Sequence, residues 1–152
     1  MRLGILSDTH GLLRPEARAA LEDTDLIIHA GDIGSPEVLT GLHALAPVVA
    51  VRGNVDTGAW AEAIPEREFV EAAGVLIHVL HVVQELDFDP RAAGIGVVVS
   101  GHSHRPTIEK RDGVLFLNPG SAGPRRFRLP VVLARLVIDT TGVQAELVDL
   151  LP

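Results

Sequence analysis

The chain has 152 residues, 47% hydrophobic and 22% charged, with 13 Lys and Arg against 20 Asp and Glu for a net charge of −7. Roughly two-thirds of the unfolded surface of such a chain can be buried, so one domain spanning residues 1–152 is expected and disorder, which needs far lower hydrophobicity, is excluded. The acidic balance argues against bulk nucleic-acid binding, which relies on counterion release at a basic surface, and the lack of cysteine excludes a disulfide framework or a thiolate zinc site.

Arg2–Leu6 is predicted as a short apolar strand, followed by a helix over Pro15–Glu22 with proline in its first turn. Asp25–Ala30, with Ile27-Ile28, is a buried strand ending at Gly31-Asp32. Ser35 is expected to cap a helix opened by Pro36 and running to about Leu45, with Val38, Leu39, Leu42 and Leu45 on one stripe. Pro47–Val51 is a third strand, ending at Gly53-Asn54. Strands alternating with helices indicate βαβ units and a parallel sheet. The pattern then changes. Arg67–Ala72 and Val75–Leu80 flank the turn Ala73-Gly74, and Ile95–Val99 is a glycine-flanked strand. Thr107–Arg111 and Val114–Leu117 flank Asp112-Gly113, a two-residue hairpin signal. Val131–Ile138 and Val143–Leu150 flank Thr140-Thr141-Gly142, and a weak helix is expected near Pro90–Ala93. Two packed mixed sheets covered by helices accommodate this order. The most apolar stretches, Val75–Val83 and Pro130–Ile138, are interrupted by His78, His81 and Arg135. Both fall far below the ~20 residues of a membrane span. Met1–Leu6 is too short an apolar run for a signal-peptide core, so a cytoplasmic protein is expected.

The polar residues gather at strand ends. Asp8-Thr9-His10 follows the first strand, Gly31-Asp32 the second and Gly53-Asn54 the third. His81 ends the Val75–Leu80 strand, and Gly101-His102-Ser103-His104 follows Ile95–Val99. Ligands in α/β sheets bind outside the carboxyl ends of strands, and the glycines at 31, 53 and 101 permit turns that a side chain would crowd. Two carboxylates, four imidazoles and one amide oxygen make a thiolate-free donor set suited to Mn²⁺, Fe, Zn²⁺, Ni²⁺ or Co²⁺. Seven donors exceed what one ion with an open site takes, and suit two ions about 3.5–4 Å apart sharing a carboxylate. Each piece alone has a plain structural explanation, as a cap, a turn or a surface histidine; the ordered conjunction favours metal. His43 reads as a surface or boundary residue and His78 as packing. His29 is either simply buried or a donor that orients Asp32.

With these residues in this order, the chain resembles the calcineurin-like metallophosphoesterases, and within them the small single-domain branch of the YfcE type. The order Asp8/His10, Asp32, Asn54, His81, His102/His104 carries the likeness, together with Val51-Arg52-Gly53-Asn54 and Leu117-Asn118-Pro119-Gly120-Ser121. The resemblance implies a four-layer αββα sandwich of two mixed sheets flanked by helices. It further implies one metal held by Asp8, His10 and His104, a second by Asn54, His81 and His102, and Asp32 bridging. Two features depart from the pattern. Val55 stands where larger relatives carry a histidine after Gly-Asn, and Val82-Val83 follow His81 where glycine is frequent.

The expected chemistry is hydrolysis of a small phosphodiester, with a hydroxide shared by two divalent ions, Mn²⁺ foremost, as nucleophile. Asn54 and His102 would also stabilise charge on the non-bridging oxygens. Asp56 is a candidate acid for the leaving group, although a turn cap is its simpler reading. Arg125 and Arg126 are candidate phosphate contacts. The rival readings are a non-catalytic metal-binding scaffold for protein partners, as in the retromer subunit that resembles this fold, and a nuclease. The nuclease reading lacks a basic groove and stacking aromatics. The C-terminal hairpins could bury a homo-oligomer interface.

Overall fold

The computed structural model describes residues 1–152. The first sheet contains β1 (Arg2–Leu6), β2 (Leu26–His29), β3 (Val48–Ala50), β9 (Val132–Asp139) and β10 (Gly142–Asp149) in the order β10-β9-β1-β2-β3. The second contains β4 (Arg67–Ala72), β5 (Val75–Leu80), β6 (Ile95–Val99), β7 (Thr107–Arg111) and β8 (Val114–Asn118) in the order β4-β5-β6-β8-β7. Both are mixed, as expected. Strands β1, β2 and β3 run parallel, as do β5, β6 and β8, while hairpin partners supply the antiparallel edges.

Period-two alternation explains how the sheets stack. Leu3, Ile5, Ile28 and Leu136 of the first sheet meet Ile77, Val79, Val97 and Leu117 of the second in the main core. Side chains of opposite parity, Leu6, Ile27 and Leu133, point outward to helices α1 (Pro15–Ala20) and α2 (Pro36–His43), with Trp60 of α3 (Ala59–Glu62) beside them. Truncating one of the fully buried leucines or isoleucines to alanine costs about 2–5 kcal/mol.

The architecture is the expected α/β pair of mixed sheets, and the differences are local. Helices cover only the first sheet. The outer face of the second is covered by a 3-10 turn (Val83–Glu85) and the segment after it, with Leu86 and Phe88 packed on Leu80, Ile95 and Val98. Pro90–Ala93 is a turn and not a helix. Ala93 N–H donates to Asp89 O and Ile95 N–H to Pro90 O, and Gly94 at φ 77° turns the chain straight into β6. The α3 turn was not expected, and α1 and α2 end at Ala20 and His43, short of Glu22 and Leu45. Ser35 occupies the N-cap of α2, but its hydroxyl makes no capping bond. His43 is exposed and His78 is buried packing, stacked on Phe69 at 4.4 Å between ring centroids. No helix is long and apolar enough to cross a membrane.

Candidate metal centre

Parallel strands β1, β2 and β3 all end on the same edge, and so do β5 and β6. Their terminal loops therefore meet where the sheets come together, which is why residues from 8 to 104 share one site. The loop after β1 zips onto the loop after β2: Asp8 N–H donates to Gly31 O at 3.0 Å, His10 N–H to Asp32 O at 3.0 Å and Gly11 N–H to Ile33 O at 2.8 Å. Asp8, His10, Asp32, His102 and His104 all have left-handed backbones, with φ between 46° and 72°. Such conformations are uncommon outside glycine and collect at functional sites, where surrounding structure holds them.

Two clusters result. Asp8, His10 and His104 form one and Asp32, His81 and His102 the other, each with its donor atoms within 4.8 Å of one another. Each carboxylate has one oxygen tied to the protein. Asp8 Oδ2 accepts from Ser7 Oγ at 2.6 Å and from His102 N–H at 3.0 Å, which leaves Oδ1 facing His104 Nε2 at 3.3 Å and His10 Nε2 at 3.6 Å. Asp32 Oδ1 accepts from Val55 N–H at 3.1 Å, and Oδ2 faces His81 Nε2 at 3.2 Å and His10 Nε2 at 3.8 Å. Asp32 Oδ2 thus lies between the two clusters. Asn54 is exposed and lines a cavity of about 440 Å³ with Arg52, Glu66, His81 and His102.

These residues fit cations. Four buried side-chain polar atoms have no hydrogen-bond partner, and two of them, Asp8 Oδ1 and His81 Nε2, face these clusters; a third is Nδ1 of His104, whose Nε2 faces Asp8. His81 Nδ1 lies 2.7 Å from Ala30 O, so it carries the proton and donates, leaving Nε2 bare toward the Asp32 carboxylate. A lone pair facing an anion is repulsive unless a proton or a metal ion lies between, and such an outer hydrogen bond is how metal-ligating histidines are oriented. Burial lowers the His81 pKa, but Asp32 and the Ala30 carbonyl overcome it and the net direction is up. Asp32 is raised by burial yet held down to about 2 by His81 and the Val55 amide. His104 is lowered, first by burial, with Arg126 and His10 adding against the pull of Asp8.

A calcineurin-like phosphoesterase superfamily domain matches residues 1–141. The chain belongs to this superfamily. A probable metallophosphoesterase of Methanothermobacter thermautotrophicus is 36% identical over 160 residues, covering 97% of this chain and 92% of that protein. An archaeal phosphodiesterase structure superposes with a TM-score of 0.80 at 26% identity, covering 97% of this chain and 100% of that one. Vps29 of Entamoeba histolytica, solved with Zn²⁺, superposes at 0.75 with 21% identity over 99% of both chains, a likeness of fold.

The superfamily pattern clarifies the remaining positions. Val82, after the strand-end histidine, has φ −114° and ψ 111°, an extended backbone that valine readily adopts, so the residue leaves His81 seated on Ala30 O. Val55 is exposed and supplies no proton. Asp56 is the turn cap and not a free acid: its buried carboxylate accepts from Gly53 N–H at 2.9 Å, Gly34 N–H at 2.9 Å and Ile33 N–H at 3.1 Å. It thereby ties the loop bearing Asn54 to the loop bearing Asp32. A β-carbon on Gly53 would overlap Asp32 N and Oδ1, so only glycine allows this approach. Asn118 carries the last loop, donating to Gly101 O at 2.9 Å and accepting from Gly120 N–H at 2.9 Å.

His29 does not reach Asp32. Its Nδ1 accepts from Gly31 N–H at 3.1 Å, which places the ring proton on Nε2, 3.0 Å from Thr9 Oγ1. Thr9 in turn donates to Ile33 O at 2.8 Å. Complete burial, reinforced by His81, pushes its pKa to about 3. Of the sequence readings, the turn cap holds for Asp56 and burial for His29; their partners are set by loops that meet in three dimensions.

Proposed function

We propose that the chain is a phosphodiesterase with a dinuclear centre, Asp8, His10 and His104 holding one divalent ion and Asn54, His81 and His102 the other, with Asp32 shared through Oδ2. The observation that carries this reading is the pair of donor clusters meeting at Asp32 Oδ2 with buried donor atoms left unpartnered. When bound, two such ions acidify water to near-neutral pKa and neutralise phosphoryl charge. Mn²⁺ is the expected occupant, given a donor set of carboxylates, imidazoles and an amide.

The chain's own residues supply orientation. Ser7 and the His102 amide hold Asp8, Val55 N–H holds Asp32, and Ala30 O holds His81 in one tautomer. Asn54 and His102 line the cavity beside the centre, where they donate toward the non-bridging oxygens of a substrate phosphate. Neither residue after Asn54 supplies a proton to the leaving oxygen, because Val55 is apolar and Asp56 is committed to three backbone amides. The preferred substrates are therefore diesters whose leaving group departs unprotonated.

Metal content by mass spectrometry, paired with hydrolysis of bis-p-nitrophenyl phosphate in Mn²⁺, tests this for the wild type and Asp32→Ala. About two ions per chain and turnover lost in the variant are expected. Two ions without turnover would favour a non-catalytic metal-binding scaffold, and no bound metal would overturn both.

A further inference from the structure

The turn after Gly123 carries a feature the metal chemistry does not use. Leu129 N–H donates to Arg126 O at 3.1 Å, closing a tight turn with Phe127 near its tip. Phe127 is 95% exposed and has φ 54°, a costly conformation for a bulky side chain that gains no packing from it. Arg125, Arg126 and Arg128 flank it in the chain, and Arg105, directly after His104, lines an open recess of about 680 Å³ with Phe127, Arg128 and Leu129. These four arginines are among only 13 basic residues in the chain, and none of them is in an ion pair; the paired arginines are Arg52, Arg67, Arg111 and Arg135.

The turn is anchored to the centre. Ser121 Oγ donates to Asp8 O at 3.0 Å, Ala122 N–H to Ser7 O at 3.1 Å, and Arg14 Nε to Gly123 O at 3.2 Å. An unneutralised arginine cluster calls for an anion, and an exposed aromatic face within it calls for a flat π system that stacks.

We propose that this turn recognises the substrate: the diester cleaved at the metal centre is a nucleotide ester whose base stacks on Phe127 while Arg105, Arg126 and Arg128 meet its charge. The proposal rests on the phosphodiesterase reading and names its substrate class. One aromatic side chain and a net charge of −7 suit a single nucleotide and not a tracked strand. In the reaction water adds to phosphorus, the bond to the leaving oxygen breaks, and a nucleoside monophosphate remains.

Three esters that release the same p-nitrophenolate isolate the retained group: thymidine 5′-p-nitrophenyl phosphate, methyl p-nitrophenyl phosphate and phenyl p-nitrophenyl phosphate, each with the Mn²⁺-loaded protein. The nucleoside ester should exceed the methyl ester in kcat/KM about tenfold through KM, a stack being worth about that factor. Phe127→Ala should collapse the ratio, and Phe127→Trp should retain it. Equal rates for nucleoside and methyl esters, or a phenyl ester as good as the nucleoside ester, would overturn the proposal. If no ester turns over, the phosphodiesterase reading fails by itself. Calorimetric binding of thymidine 5′-monophosphate then decides: weaker binding to Phe127→Ala sustains the recognition turn, and equal binding overturns it.

Discussion

His29 places a proton-sensitive element beneath the centre. Its folded pKa is about 3 against 6.5 when free. Between those values the unfolded chain binds a proton that the native chain refuses, so stability is full above about 6.5 and is lost as pH falls toward about 3. The whole window is worth up to about 5 kcal/mol, and the part between pH 7 and pH 5 about 2 kcal/mol. For a chain of this length that is roughly 4–8 °C in Tm. The assay is thermal and urea unfolding at both pH values in EDTA, which removes the competing effect of metal release, for wild type and His29→Gln. The glutamine keeps an acceptor and a donor but cannot titrate. The wild type should lose about 2 kcal/mol more than the variant on acidification. Equal losses in the two proteins would refute a buried neutral His29 and the Gly31–His29–Thr9–Ile33 chain built on it.

Asp56→Ala strips partners from three backbone amides and should lower stability by about 3 kcal/mol; it should also weaken metal binding, read by urea unfolding and by Mn²⁺ titration, and unchanged values would separate Asp56 from the site. With Val55 apolar and Asp56 tied to backbone amides, aryl diesters should turn over at least a hundredfold faster than alkyl diesters, a ratio expected from the ~10²–10⁴ that proton donation contributes; equal kcat values in a matched series would point to a donor elsewhere in the cavity. Metal occupancy should fall as pH drops through roughly 6, because ligating imidazoles must be neutral, and full occupancy at pH 5 by mass spectrometry after desalting would contradict histidine ligation.

The candidate site was legible because its residues sit at strand ends, and strand ends follow from apolar runs stopped by glycine. Asp8, Asp32 and the His102/His104 pair could be ordered along one edge before any contact was known. Their left-handed backbones could not, since φ depends on how the loops after β1 and β2 lace together. Hairpins with two-residue turns were also legible, Asp112-Gly113 above all. Short helical turns were not. Residues 90–93 have helical composition but only one turn of space before β6, while Ala59–Glu62 has no capping side chain and follows Gly58 at φ 98°. Counting four Phe and no Tyr suggested too few aromatics for base stacking, and no count reveals that Phe127 stands alone in water among arginines.

The sheet order has a consequence for biosynthesis. Strand β1, which delivers Asp8, lies between β2 and β9, and its β9 partners follow it by about 130 residues, Leu3 pairing with Leu136. At ribosomal speeds of ~5–20 residues per second, the edge of β1 that β9 will cover waits on the order of ten seconds for its partner. The turn at Ser121 that braces Asp8 arrives only shortly before. A nascent chain stalled before residue 130 would hold every proposed metal ligand yet lack the strand that locks the first of them, leaving an apolar edge open to other chains. The sheet around the strand that delivers Asp8 is thus closed by β9, which is synthesised after every proposed ligand.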